Sequence, residues 1–356
     1  MPIRRSPQTG EFSTSTFGEI TTSTHTTLYY AVFEGSVVAV GISYLAPAID
    51  LRLALLVVAI YSIVFVLGPI QNWLDRLNGA LLPIYGAGIL TLLVMAYNRG
   101  GFSFAAWASD DVTVFGVVSV FCAYMGLWIL PMCTFDFARY GRKADAGYHG
   151  AINFGLPYYV VTIGLNGIAG IALVLALGQK SGVTEISVIQ DIIRLMGIWG
   201  LIFLWATQTR INTANYYLAA INFSGLFRFV TGRSLPHLAA VVIVGMLAYA
   251  LMLGNVVSYL LTALAYQGIF VVAWVAVAFT HTFWRNSSGT VEVSAPTIRI
   301  GGLASWLLGV AGGVVMHLAG GAGSFAAPLI SVFISGLSYS IYGAWMSSRS
   351  AERSMA

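Results

Sequence analysis

The sequence predicts an all-α, polytopic membrane protein, and three properties of the 356-residue chain support that fold class. Only 8% of the residues are charged and 58% are hydrophobic, which leaves too little charge to cover the surface of a soluble protein of this size. The apolar segments continue for about 20 residues with almost no charge, which is the length that a bilayer requires. The 39 glycines are also typical of membrane helices, whose backbones approach one another closely.

Ten segments are apolar and long enough to be predicted as membrane spans. They are residues 27–45, 53–70, 78–97, 112–133, 151–177, 192–223, 238–253, 257–283, 300–318 and 325–346. The first span carries Glu34 and the sixth carries Arg210, so these two are the least typical. Residues 1–26 are then a polar N-terminal tail, 27–346 the transmembrane domain and 347–356 a C-terminal tail.

The distribution of Lys and Arg predicts that both termini are cytoplasmic. If the N-terminus is cytoplasmic, 12 of the 17 Lys and Arg residues lie on the cytoplasmic side of the membrane and four lie on the outer side. The remaining one, Arg210, lies within a span. Cytoplasmic loops of multi-pass proteins carry such an excess of positive charge. The expected location is therefore the cell membrane, of the bacterial inner-membrane type.

Polar side chains within the spans are the candidate functional residues, because placing them in lipid is costly. Glu34, in LYYAVFEGSVVAV, is expected either to bind a donor-rich ligand, to carry a proton or to form a structural ion pair. Seven polar residues in the sixth span exceed what one helix–helix contact uses, which favours a binding site over polar packing. These residues are Thr207, Gln208, Thr209, Arg210, Asn212, Thr213 and Asn215.

The segment ILPMCTFDFARYGR begins at the end of the fourth predicted span and continues past it, with Pro131 followed by Asp136 and Arg139. Proline removes a backbone donor, so a broken or kinked helix is predicted here, as at the substrate sites of transporters. Asp136 and Arg139 themselves fit a cap and anchor at the membrane edge better than a substrate contact. His317, late in the ninth span, is expected to be structural.

The sequence contains no pattern typical of an enzyme, a metal site or a nucleic-acid-binding surface. It has no His or Cys cluster with ligand spacing, no P-loop and no GxSxG turn. The Lys and Arg residues are dispersed along the chain instead of clustered. We therefore expect no catalytic residue, no metal and no cofactor, and the expected partners are the lipid bilayer and a small molecule.

Two motifs resemble those of the nucleobase–cation symporter family, the permeases of purines, cytosine, allantoin and hydantoin. DFARYGR resembles the signature that follows the sixth helix of that family, and TQTRINTANYY resembles the eighth helix of its cytosine-permease-like members. The resemblance covers most of residues 28–346. It implies a LeuT-like inverted-repeat fold with the substrate at the midplane, in which the ten spans correspond to family helices three to twelve.

The resemblance also implies roles for individual residues. In the family an aromatic residue on helix three and a tryptophan on helix six sandwich the heterocycle, and these positions fall on or near Phe33 and Trp128. An asparagine on helix eight hydrogen-bonds the ring, and its position falls on or near Asn215. Glu34 and Gln208 complete the expected set of substrate contacts.

The chain departs from the family pattern at two places. Family helices one and two have no counterpart before residue 27, so either a truncated gene product or a degenerate member is expected. The helix-eight hydroxyls of the family's sodium site would lie near Thr209 and Arg210. Because Arg210 is a fixed cation, we expect it to stand in for sodium, which would leave transport proton-coupled or uncoupled.

The function implied by the resemblance is secondary active transport of a purine, cytosine or related flat heterocycle by alternating access, coupled to Na⁺ or H⁺. Two alternatives stay open. One is a truncated, non-transporting remnant of the family, and the other is a carrier of another small solute, such as an amino acid, on the same fold.

Overall fold

The computed structural model describes residues 14–67, 70–100, 113–128, 138, 141–177, 183–254, 259–288 and 300–355. Within these ranges the chain is helical and forms no strand, in agreement with the predicted all-α class. A 3-10 turn, Gly126–Trp128, follows α4, and short helical turns precede α5. The helices are α1 (Thr14–Leu45), α2 (Leu51–Val66), α3 (Ile70–Gly100), α4 (Val114–Met125), α5 (Leu156–Ala176), α6 (Glu185–Met196), α7 (Ile198–Thr231), α8 (His237–Met252), α9 (Leu260–Ser288), α10 (Ile300–Ala319) and α11 (Gly321–Met355).

In the described part of the chain, six helices are long and apolar enough to cross a bilayer. They correspond to the first, third, fifth, eighth, ninth and tenth predicted spans, and they identify an α-helical, multi-pass membrane protein. α1 and α11 extend beyond these segments, from Thr14 and to Met355 respectively. The six segments are Thr27–Leu45, Arg76–Gly100, Leu156–Ala176, Thr262–Phe283, Ile300–Ala319 and Gly323–Met346.

The other four predicted spans coincide with helices that are shorter or more polar than a typical crossing. α2 and α8 contain 16 residues each, a length of about 24 Å against a hydrocarbon core of about 30 Å. α4 contains 12 residues. α7 contains 34 residues, but the polar run at its centre lowers its hydropathy. The predicted total of ten spans therefore stays a prediction.

The sixth predicted span, residues 192–223, is wrong at its start because it crosses a helix break. α6 ends at Met196 and α7 begins at Ile198, and Gly197 between them has φ 61° and ψ −139°. This backbone conformation is almost restricted to glycine, because a Cβ atom would clash with the backbone. Apolar residues on both sides of Gly197 continue the hydrophobic pattern, so the pattern alone does not reveal the break.

The chain forms two compact units. The first unit consists of Ser23–Thr113 and Ile129–Ala263 and contains α2, α3, α5 to α8 and most of α1. The second unit consists of Val114–Trp128 and Leu264–Ala356, together with the start of α1. In the first unit, buried residues of α1, α2, α7 and α8 make one core, and those of α1, α3, α5, α6 and α7 make a second. α1 and α7 belong to both cores and hold this unit together.

Small residues line the face of α10 that packs on α11 in the second unit. Gly301, Ser305, Gly309 and Gly313 recur at every fourth position and are all buried. A Cβ atom added at Gly309 would overlap the hydroxyl group of Ser335 on α11. Small residues at this spacing let the backbones of two membrane helices approach closely.

Candidate functional site

The polar centre of α7 divides into two faces. Successive residues of an α-helix point about 100° apart, so residues at i, i+4 and i+7 share a face. Gln208, Asn212 and Asn215 have this spacing, and Arg210 lies on the opposite side of the helix. Asn212 and Asn215 are buried, although both are amides within a membrane protein.

α2 supplies two adjacent hydroxyl groups to α7. Asn212 Nδ2 donates a hydrogen bond to Ser62 Oγ at 3.2 Å, and the hydroxyl oxygens of Tyr61 and Thr209 are 3.5 Å apart. Tyr61 and Ser62 are absent from the residues that the sequence singles out. The pattern that could have revealed them is a Tyr-Ser pair inside the otherwise apolar helix LRLALLVVAIYSIVFV.

α1 approaches the same part of α7 at Gly35. A Cβ atom added at Gly35 would lie 3.7 Å from Asn212 Nδ2 and would overlap the methyl group of Met252 on α8. Glu34, the preceding residue, is only 7% exposed, and within the described chain it forms no hydrogen bond or ion pair. A buried carboxyl group without a partner is costly, so Glu34 requires a proton or a bound donor.

Several buried polar atoms of α7 have no hydrogen-bond partner among the described residues. They are Gln208 Oε1, Asn212 Oδ1, Asn215 Nδ2 and the hydroxyl group of Tyr216. Buried polar groups are nearly always hydrogen-bonded to protein or to water. Two acceptors and one donor on a single amide-bearing face of α7 therefore indicate a position where water or a polar ligand binds.

The two aromatic residues of the predicted sandwich lie in different compact units. Phe33 is half-buried and packs against the core formed by α3, α5, α6 and α7. Trp128 lies in the 3-10 turn after α4, 37% exposed, and its indole is edge-on to Phe121 with 6.3 Å between ring centroids. A ring held between Phe33 and Trp128 stays a prediction.

Arg210 contacts α3, whereas its neighbour Thr209 contacts α2. The Nε atom of Arg210 donates to Asn78 Oδ1 at 3.3 Å, and the guanidinium carbon lies 5.2 Å from the centre of the Tyr85 ring. Thr209 and Arg210, grouped by the sequence as a cation or coupling site, therefore have separate partners on different helices. Their role in coupling stays a prediction.

Pro131, in the fourth predicted span, and Asp136 and Arg139, just after it, lie outside the described residues. His317 lies in a packed, hydrogen-bonded environment, as expected for a structural histidine: its Nδ1 is 2.9 Å from Ser324 Oγ and its ring is 4.7 Å from that of Tyr266. Among the described residues, no group of three or more His, Cys, Asp or Glu side chains could hold a metal ion.

No protein family, curated protein or solved structure matches the chain. The similarity of DFARYGR and TQTRINTANYY to the nucleobase–cation symporters therefore stays a hypothesis, and the function has to follow from the chemistry of the residues themselves.

Proposed function

We propose that the protein is a secondary active transporter that binds a small polar solute at the amide-bearing face of α7, where α1 and α2 pack against it. The observation that carries this proposal is the set of buried atoms of Gln208, Asn212 and Asn215 that have no partner among the described residues. The buried Glu34, which forms no hydrogen bond or ion pair within the same residues, adds to it. Amide side chains offer both donors and acceptors, so this face suits a ligand that carries both.

The substrate class that we propose is a purine, cytosine or related nucleobase. Such rings alternate donors and acceptors along their edges, which asparagine and glutamine side chains can match, and they present flat faces to aromatic side chains. In this proposal Asn215 and Gln208 bind the ring edge, Glu34 accepts a hydrogen bond from it, and Phe33 supplies an aromatic surface. The two motifs that resemble the nucleobase–cation symporters support this choice, and the LeuT-like fold with cytoplasmic termini belongs to the same proposal.

Glu34 is also the residue that we propose for coupling to a proton. It is a buried carboxyl group of α1, and it precedes Gly35, where α1 approaches Asn212 of α7. A carboxyl group in that position can take up a proton and release it when substrate binds or leaves.

Uptake of radiolabelled nucleobases by cells or proteoliposomes that contain the full chain tests the proposal. We expect saturable uptake of at least one nucleobase, with no competition from amino acids. Asn215→Ala should lower uptake about tenfold, because a buried hydrogen bond contributes roughly 1–1.5 kcal/mol to binding. The matched control is Asn222→Ala, the same change two turns further along α7, which should leave uptake near the wild-type value.

Competition by amino acids instead of nucleobases would assign the site to another class of solute. Wild-type uptake by the Asn215→Ala protein, at equal abundance in the membrane, would contradict the site itself. No uptake of any tested solute by the wild-type chain would support the non-transporting alternative.

A further inference from the structure

Arg210 places a fixed positive charge in a helix of the membrane domain, and no described acidic residue pairs with it. Within the described part of the chain its guanidinium group forms no ion pair, and its hydrogen bond is the one from Nε to Asn78 Oδ1 at 3.3 Å. No described residue therefore accepts a hydrogen bond from its Nη1 and Nη2 groups. Because an unpaired cation is costly in a bilayer, a bound anion that accepts hydrogen bonds from these N–H groups would stabilise Arg210.

Tyr85 and Asn78, which contact the guanidinium group, each carry a donor in addition to the atoms that contact it. Tyr85, whose ring lies under Arg210, accepts a hydrogen bond at its hydroxyl oxygen from Asn166 Nδ2 at 2.8 Å. That bond leaves the hydroxyl hydrogen of Tyr85 available for donation. Asn78 contacts Arg210 through its oxygen, and among the described residues its Nδ2 group has no acceptor. A positive group among available donors has the chemistry of an anion site.

Asn78 and Tyr85 both lie in the first half of the membrane-spanning part of α3. Asn78 and Tyr85 follow Arg76, the first residue of that span, by two and nine positions, which corresponds to about 3 and 13 Å along the helix axis. On α5, Asn166 follows a π-helical turn, Val160–Leu165, and such turns are frequent at functional sites.

We propose that Arg210, Tyr85 and Asn78 form a binding site for a phosphate-type anion. The free edge of the guanidinium group can bind two phosphate oxygens in parallel hydrogen bonds, and the Tyr85 hydroxyl group adds a third. The phosphodiester of an anionic phospholipid and a free phosphate both carry this chemistry. The site lies on the side of α7 opposite Gln208 and does not depend on the transport proposal.

Anion binding to the purified full-length chain in detergent micelles tests this proposal. The probes are inorganic phosphate and a short-chain phosphatidylglycerol, with phosphatidylcholine as the neutral control, and binding is followed by native mass spectrometry and by the melting temperature. We expect saturable binding of one anionic probe, weakened at least about tenfold by Arg210→Gln. Arg194→Gln is the matched control, because Arg194 already pairs with Asp191 at 3.5 Å, and it should bind like wild type.

Tyr85→Phe provides a second variant in case Arg210→Gln does not fold. It keeps the ring under the guanidinium group and removes only the hydroxyl group, so we expect binding to weaken roughly three- to tenfold. Preference for phosphatidylglycerol over phosphatidylcholine would identify a lipid ligand, and saturable binding of inorganic phosphate without that preference would identify a solute. Binding of neither anion above the neutral control, or wild-type binding by both variants, would overturn the proposal.

Discussion

Asn212 on α7 donates a hydrogen bond to Ser62 on α2, from Nδ2 to Oγ at 3.2 Å, across 150 positions of the sequence. Both side chains are buried, and Asn212 Oδ1 has no partner among the described residues. Because the amide group is planar, a bond to its nitrogen also fixes the orientation of its oxygen. Ser62 thus holds one acceptor of the candidate substrate site in place.

Replacing Ser62 with Ala should lower the free energy of unfolding by about 1 kcal/mol, since it leaves a second polar atom of Asn212 buried and unpaired. Reversible unfolding in mixed micelles measures this change. The control is Ser224→Ala on α7, whose hydroxyl group donates to the Ala220 carbonyl of its own helix at 2.9 Å and to no other described residue. Equal stability losses for the two variants would argue against a specific role for the bond between α2 and α7.

Replacing Glu34 with Gln should separate binding from coupling, because the shape of the side chain is kept and its ability to exchange a proton is lost. If Glu34 carries the coupling proton, we expect uptake driven by a pH gradient to fall more than about tenfold, while substrate exchange at equal pH continues. Glu185→Gln, at the start of α6 and outside the membrane spans, serves as the control. Gradient-driven uptake at the wild-type rate would rule out Glu34 as the proton carrier.

Gly309→Ala should destabilise the packing of α10 on α11 by about 1–3 kcal/mol. The added methyl group would overlap Ser335 Oγ and lie 2.7 Å from the backbone oxygen of Ser331, which cannot move aside as a flexible side chain can. Gly302→Ala, on the same helix, is the control, because its nearest neighbour, a Tyr339 ring carbon, is 3.7 Å away. Thermal unfolding of the purified protein gives the melting temperature of each variant. Equal melting temperatures for Gly309→Ala and Gly302→Ala would contradict the prediction.

Gly197→Ala should destabilise the turn between α6 and α7 by about 1–3 kcal/mol, because of its positive φ of 61°. The control, Gly170→Ala in α5, faces open space and should be neutral or slightly stabilising. Hydrogen exchange of the α6 amides measures the local effect. Faster exchange confined to α6 and the start of α7 is the expected outcome, and unchanged exchange there would contradict it.

The membrane class and the position of long apolar helices such as Arg76–Gly100 could be predicted, because length and hydropathy are local properties of the sequence. The break at Gly197 could not, because it depends on a single backbone conformation within an apolar stretch. The 3.6-residue repeat of an α-helix is enough to predict that Arg210 lies on the opposite face of α7 from Gln208 and Asn215. Which helix packs against each face depends on tertiary structure and could not be predicted. For that reason the contacts of Tyr61, Ser62 and Tyr85 with α7 could not be predicted from the sequence.

α7 spans 34 residues and yet is too polar at its centre to enter lipid readily as an isolated segment. The groups that contact this polar centre, at Gly35, Ser62 and Asn78, are all on helices that precede α7 in the chain. A ribosome therefore delivers α1, α2 and α3 to the membrane first, and the polar helix arrives where its hydrogen-bonding partners are already present. The order of the helices along the chain thereby allows α7 to insert next to polar partners, although it would not insert readily into lipid alone.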